Sequence, residues 1–170
     1  MKISRVQTMV LVALLVAIEI VLSRFCSIAT PIVKIGFGFV PIAVCGMLFG
    51  PAWAGVAGGL ADFVGAILFP IGTYFPGFTV SAILTGVIFG LLLRRENAGW
   101  KSLTLAVSLN CIGISLCLTT LWISLLYGTP YLALLPTRVV QNLIMIPIQF
   151  LILRLMQQPV KLYRRSAHHA

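Results

Sequence analysis

The sequence predicts an all-α integral membrane protein of six transmembrane helices with both termini in the cytoplasm, and three observations carry that expectation. Apolar residues make up 60% of the 170 and charged residues only 9%, with a mean hydropathy of +1.10. A soluble domain covers its surface with about 25% charged residues. The apolar residues fall in runs near the roughly 17–25 needed to cross a hydrocarbon core about 30 Å thick. That leaves room for about six spans in a single membrane domain over residues 1–170. The third observation is how the cations sort by side. Lys2, Arg5, Arg94, Arg95, Lys101, Arg154, Lys161, Arg164 and Arg165 fall on one face of a six-span plan, and only Arg24, Lys34 and Arg138 on the other. An excess of Lys and Arg marks the cytoplasmic face.

The first span is expected from about Val6 to Ser23. The basic start Met1-Lys2-Ile3-Ser4-Arg5 precedes a span-length apolar run without a clear small-residue cleavage site, so it reads as a span and not a signal peptide. Ala13 and Ala17 form a small-xxx-small pair, the pattern that lets membrane helices approach closely. Glu19 lies about 140° from that pair on the helical wheel. An intramembrane carboxylate marks a functional site by default, and the alternatives are a structural ion pair or a protonated acid.

A connector follows at about residues 24–38, with Arg24, Lys34, Phe25 and Phe37 set around Thr30-Pro31. Proline disfavours the α conformation in the residue before it, so helix stops here. This outer loop is either a lid over an anionic, aromatic ligand or an interfacial loop, where aromatics and snorkelling cations gather anyway. The short second span covers about Phe39 to Phe49, and Gly50-Pro51 turns into a third from about Ala52 to Phe69. There Gly55, Gly58, Gly59, Asp62, Gly65 and Ala66 fall within about 120° of one another. Asp62 in this glycine seam is either a hydrogen-bonded tie to a neighbouring helix or a ligand contact.

The next break carries two prolines and the aromatics Tyr74 and Phe75, which can anchor helix ends or stack on a flat ligand. Span four is expected from about Phe78 to Leu93, with Gly86 and Gly90 as a second close-packing face. Arg94 to Lys101 reads as a charged hairpin. Span five, from about Ser102 to Tyr127, places Asn110, Gly113, Cys117 and Ser124 on one stripe. Span six is expected from near Leu135-Pro136 to about Arg154 or a little later, before the tail that starts at Lys161. Its Arg138, Gln141, Asn142, Met145 and Gln149 fall within about 100°, the strongest polar constellation in the chain. An arginine and three amides in one stripe argue for an interior hydrophilic cavity.

The net charge of +9 comes from cations at span ends and not from a basic face, so the expected contact is anionic lipid headgroups and not nucleic acid. The cysteines Cys26, Cys45, Cys111 and Cys117 lack metal-ligand spacing and read as small apolar fillers. No metal or cofactor is expected. The outer half gathers Glu19, Arg24, Lys34, the Tyr74 loop and the start of span six, which is the arrangement uptake requires.

Leu22-Ser23-Arg24-Phe25 through Phe37-Gly38-Phe39-Val40-Pro41, with Gly46-Met47-Leu48-Phe49-Gly50-Pro51, resembles the folate-specific substrate-binding (S) component of energy-coupling-factor (ECF) vitamin transporters. So do Leu60-Ala61-Asp62-Phe63 with Phe69-Pro70, Tyr74-Phe75-Pro76-Gly77-Phe78-Thr79, and Arg138 to Asn142. The likeness covers nearly the whole chain. It implies a multi-pass protein of the bacterial plasma membrane that binds folate from outside, with the first connector as lid. It implies partners as well: a membrane coupling (T) protein and two cytoplasmic ATPases, met through Ala13 and Ala17. This chain has no P-loop motif of its own. For folate, Asn142 and Asn110 offer donors and acceptors to the pterin edge, with Asn110 deeper than the rest, and Glu19 an acceptor for its amine and ring N–H. Phe39, Tyr74 and Phe75 offer stacking, and Arg24, Lys34 or Arg138 offer charge to the carboxylates. The alternatives are an S component for another vitamin, such as pantothenate or a thiamine precursor, or an intramembrane enzyme. The enzyme would need a catalytic set, and the two histidines, His168 and His169, stand in the tail.

Overall fold

The computed structural model describes residues 4–29, 34–70, 72–94 and 99–169. Helix α1, Arg5–Arg24, starts in a capping box. The Ser4 hydroxyl accepts from the Gln7 N–H at 3.2 Å, and the Gln7 side chain accepts from the Ser4 N–H at 3.0 Å. Two of the donors that a helix start leaves open are thereby satisfied. One face of α1 buries Val12, Glu19 and Ser23, while Ala13 and Ala17 are exposed. The two faces read from the sequence are both present.

The connector expected as a loop carries a short antiparallel hairpin, β1 (Ser27–Ala29) paired with β2 (Lys34–Gly36), with Ser27 opposite Gly36. Its Thr30-Pro31 tip lies outside the described residues, and nothing is described of the Ala29 and Lys34 side chains. The hairpin is seated on the end of α1. The Ser27 hydroxyl donates to the Ser23 carbonyl at 2.5 Å.

Helices α2 (Phe39–Phe49), α3 (Pro51–Leu68) and α4 (Pro76–Leu93) follow. Gly50 joins α2 to α3 at φ +94°, a conformation that side chains disfavour. Pro51 and Pro76 each begin a helix where a missing N–H has no consequence. Glycines then let the backbones touch. A Cβ on Gly58 would stand 2.5 Å from the Ala82 carbonyl oxygen, and one on Gly46 would stand 2.8 Å from the Gly90 nitrogen. The seam of Gly55, Gly58 and Gly59 thus faces α4, as its spacing predicts. Gly65 faces α1 instead, beneath Arg24.

Helix α5, Trp100–Tyr127, is not uniform. Its middle, Leu109–Thr119, is wound as a π-helix. Helix α6, Tyr131–His169, starts earlier and ends later than the sequence implies, and contains Pro136, Pro147 and Pro159. At 1.5 Å per residue it is about 58 Å long. The charged hairpin expected at Arg94 to Lys101 falls mostly outside the described residues.

Five helices, α1, α3, α4, α5 and the Tyr131–Tyr163 part of α6, are long and apolar enough to cross a membrane, and α2 is shorter. The larger core joins α2, α4, α5 and α6 through Phe39, Met47, Phe89, Leu103, Met145 and Leu153. A smaller one joins Val12, Cys45, Ala54 and Ala57 of α1 to α3.

Two sequence expectations need correcting. Of the α5 stripe only Asn110 is buried; Ser124 is half-buried, and Gly113 and Cys117 are exposed. A π turn closes its hydrogen bonds at i→i+5 and takes more residues per revolution than an α turn. Residues beyond Asn110 therefore lag the wheel on which the stripe was drawn. Among the cysteines, Cys45 and Cys111 fill the core, whereas Cys26 and Cys117 are exposed.

Candidate ligand-binding site

The end of the bundle where α1, α3 and α5 finish and α2, α4 and α6 begin gathers most of the candidate residues. It is built on α6. Arg138 is only 3% exposed, and its Nη1 donates to Gln141 Oε1 at 2.8 Å, one helical turn on. Asn142 Nδ2 donates to the Arg138 carbonyl at 2.9 Å. The Arg138 Nε is buried without a hydrogen-bond partner. A guanidinium carries five donors, and burying a charge without an opposite charge or full hydrogen bonding is expensive. Gln141, Asn142, Met145 and Gln149 are buried on the same stripe, so the wheel drawn from the sequence holds along α6.

Phe39, the first residue of α2, is buried in the core that also contains Met145. It sits beside this stripe as a packed ring. Glu19 is buried on α1, and its Oε1 lies 2.8 Å from where a Gly38 Cβ would be, so the carboxylate abuts the residue that leads into α2. A side chain at Gly38 would require the carboxylate to shift.

Arg24 turns toward α3. Its guanidinium covers Gly65, and Nη2 reaches the Asp62 carbonyl at 3.5 Å, near the carbonyl-rich end of that helix, where a cation is favoured. Asp62 itself takes the cross-helix role. Thr79 on α4 donates to its Oδ2 at 2.8 Å. The Tyr74 and Thr79 hydroxyls are 3.0 Å apart, and since Thr79 spends its proton on the carboxylate, Tyr74 is the donor to Thr79. The relay fixes the phenol, and Phe63 packs edge-on against its ring at 6.0 Å. Tyr74 stays 41% exposed, free along one face.

Phe75 is taken up by aromatic packing. It lies 5.6 Å from Trp122 and 6.1 Å from Phe78. Trp122 also donates to the Ser81 hydroxyl at 3.2 Å. Asn110 joins the deep end of the α6 stripe. It accepts from Thr85 at 3.0 Å and donates to Gln149 Oε1 at 3.1 Å, which ties α4, α5 and α6 together. Asn110 therefore lies deeper than Asn142, as expected, but with both ends of its amide engaged.

Sequence reasoning did not single out Thr79, Ser81, Thr85 or Trp122. A signal was available. Gly77, Ser81 and Thr85 recur every four residues on α4, a small and polar row that faces α5 through two hydrogen bonds. Among the described residues no group of three or more His, Cys, Asp or Glu could hold a metal ion.

Comparison with known proteins adds three findings. A family model described as "ECF transporter, substrate-specific component" matches residues 7–156. The chain is similar to the folate transporter FolT of Clostridium novyi, 41% identical over 149 residues, covering 88% of this chain and 87% of that one. It is also similar to FolT of Leuconostoc mesenteroides, 32% identical over 146 residues, covering 82% and 78%. A crystal structure of FolT bound with folic acid superposes with a TM-score of 0.86 at 37% identity, covering 90% of this chain and 93% of that one.

Proposed function

The chain belongs to the substrate-specific components of ECF transporters, and we propose that it is the subunit that binds folate at the outer face of a bacterial plasma membrane. It is a multi-pass membrane protein. The ligand reading rests above all on Arg138, a guanidinium nearly sealed in the bundle, with an unpartnered Nε and three amides on its stripe. Such a group lowers its energy by taking an anion, and folate brings two carboxylates together with a hydrogen-bonding pterin. Asn142 and Gln141 supply donors and acceptors next to it, Tyr74 a partly open ring, and Phe39 an apolar wall. Lys34 and Glu19 belong to the same end. Arg24 contributes positive charge there while holding α3. Asn110 and Gln149 close the pocket from below.

In this reading α2 is the second and shortest of six spans, both termini are cytoplasmic, and the 24–38 segment with its hairpin is the lid. Arg94 and Arg154 on the opposite end support that orientation by charge. The exposed Ala13 and Ala17 of α1 are the face offered to the membrane coupling protein, which brings two ATPases with it. ATP-driven reorientation of the subunit then carries the pocket inward. We read the protein as a carrier, as its family and its relatives are transporters.

The test is a titration of the purified chain against a panel of vitamins. Folic acid is expected to saturate it one-to-one, with pantothenate and thiamine precursors inert. Saturation by one of those and not by folic acid would move the chain to another vitamin. Replacing Ala13 and Ala17 together with tryptophan should leave that binding nearly intact and abolish uptake in cells; uptake at the normal rate would remove the alanine face as the coupling surface.

A further inference from the structure

Among the described residues, the opposite end of the molecule holds cations without anions. Arg5, Arg94, Lys101, Arg154 and Lys161 are described there, and of the three acidic residues in the sequence, Glu19 and Asp62 lie at the ligand end. Glu96, the third, lies outside the described residues. Most of that charge has to be met from outside the chain.

At one corner the charge is organised. Arg154 on α6 lies over the ring of Trp100, the first residue of α5, with Cζ 5.1 Å from the ring centroid. Its Nη1 donates to Gln157 at 3.1 Å, and no carboxylate among the described residues pairs with it. Trp100 rests on Phe150, 5.5 Å away, yet is itself 62% exposed. Among the described residues the guanidinium is thus held by a ring face and one amide, fewer partners than its five donors can take. Lys101 beside it is exposed.

The surroundings of this cation are apolar on the outer surface. Leu151, Arg154 and Leu155 follow each other at helical spacing on α6, and Lys101 and Leu105 at helical spacing on α5. The three leucines are exposed. An interfacial tryptophan marks headgroup level. Cations at headgroup level, with Leu105 and Leu151 beneath them on the two helices and Leu155 level with Arg154, match a molecule with an anionic head and hydrocarbon tails. An acidic protein surface would match the cations and leave the leucines uncovered.

We propose that this α5–α6 corner binds one anionic phospholipid. Arg154 and Lys101 hold the phosphodiester, Trp100 lies against the glycerol region, and an acyl chain covers Leu105, Leu151 and Leu155. The site is separate from the folate pocket and does not depend on it.

The experiment uses the full chain in neutral detergent, with phosphatidylglycerol and phosphatidylcholine of identical chains added in turn and retained lipid counted by native mass spectrometry. The wild type should retain a single phosphatidylglycerol in clear preference to phosphatidylcholine. Each cation near a charged membrane surface contributes roughly fivefold to anionic-lipid affinity, so Arg154→Gln and Lys101→Gln should each cut phosphatidylglycerol retention by about that factor. Phosphatidylcholine retention and folic acid binding should not change. Lys101→Gln, an exposed substitution, keeps the test intact if Arg154→Gln fails to fold. Equal retention of both lipids by the wild type, or undiminished preference in the variant that folds, would overturn the site. So would thermal stabilisation by inorganic phosphate alone equal to that by the lipid, which would make the ligand a free anion.

Discussion

A Cβ placed on Gly58 of α3 would stand 2.5 Å from a backbone oxygen of α4, whereas one placed on Gly113 of α5 meets nothing within 4 Å. The α2–α4 side of the bundle is held by backbones in contact, with glycines at the crossings and one carboxylate tie, Asp62 to Thr79. The α5–α6 side is held by side chains: Asn110 to Thr85 and Gln149, Trp122 to Ser81, Arg138 to Gln141. Contacts between backbones have one geometry and no spare donors. Networks of amides and a guanidinium retain unsatisfied hydrogen-bonding capacity, which a ligand can use. Binding therefore belongs to the second side, with the first as its rigid support.

The contrast can be broken at the seam. Gly58→Val should have the largest effect, since a carbonyl cannot rotate away. Overpacking of this kind costs about 3 kcal/mol or more where the neighbour cannot yield, and little folded protein should be recovered by size exclusion in detergent. A well-folded variant would mean that α3 and α4 can separate. A middle effect is expected from Thr79→Val, which removes the tie to Asp62 and the support of Tyr74. Hydrogen bonds to charged groups are worth about 1.5–3 kcal/mol, so the thermal midpoint should fall, while folic acid affinity changes at most a few-fold because Phe63 still braces the ring. A large loss of affinity at an unchanged midpoint would turn Asp62 and Thr79 into ligand groups. The smallest effect belongs to Gly113→Ala. Alanine favours helix over glycine by about 1 kcal/mol and has open space here, so the midpoint should hold or rise slightly. A marked loss would show that the π segment needs the freedom of glycine.

The same contrast explains what the sequence made legible. Helix α2 could be bounded to the residue because Gly38 and Gly50 flank it, and the α3 seam could be read because glycine spacing on a regular helix maps directly onto a face. The α6 stripe was legible for the same reason. On α5 the wheel failed beyond Asn110, because Leu109–Thr119 is wound as a π-helix and a wheel of 3.6 residues per turn does not apply to it. The start of α6 was misplaced because Pro136 looks like a boundary, yet so near the helix start it forfeits only a bond to the Leu132 carbonyl. The helix runs on past Arg154, and Val160 still packs in the core. Of the candidate residues, Glu19 and Arg138 could be singled out because a charge within a span is expensive to bury, and Asn142 because it shares the Arg138 stripe. The engagement of Arg24 with α3 and of Phe75 with Trp122 depended on tertiary packing that no periodicity reports.

The central claim, that the polar side of α6 holds the ligand, is tested most directly by titrating folic acid into purified wild type and Arg138→Ala. Losing a charge-assisted hydrogen bond of about 1.5–3 kcal/mol corresponds to roughly a tenfold to hundredfold weaker dissociation constant. The variant should show that loss while its thermal midpoint without ligand stays near or above that of the wild type, since a buried charge has been removed. Equal affinity in the two proteins would contradict the account and place the anion site elsewhere.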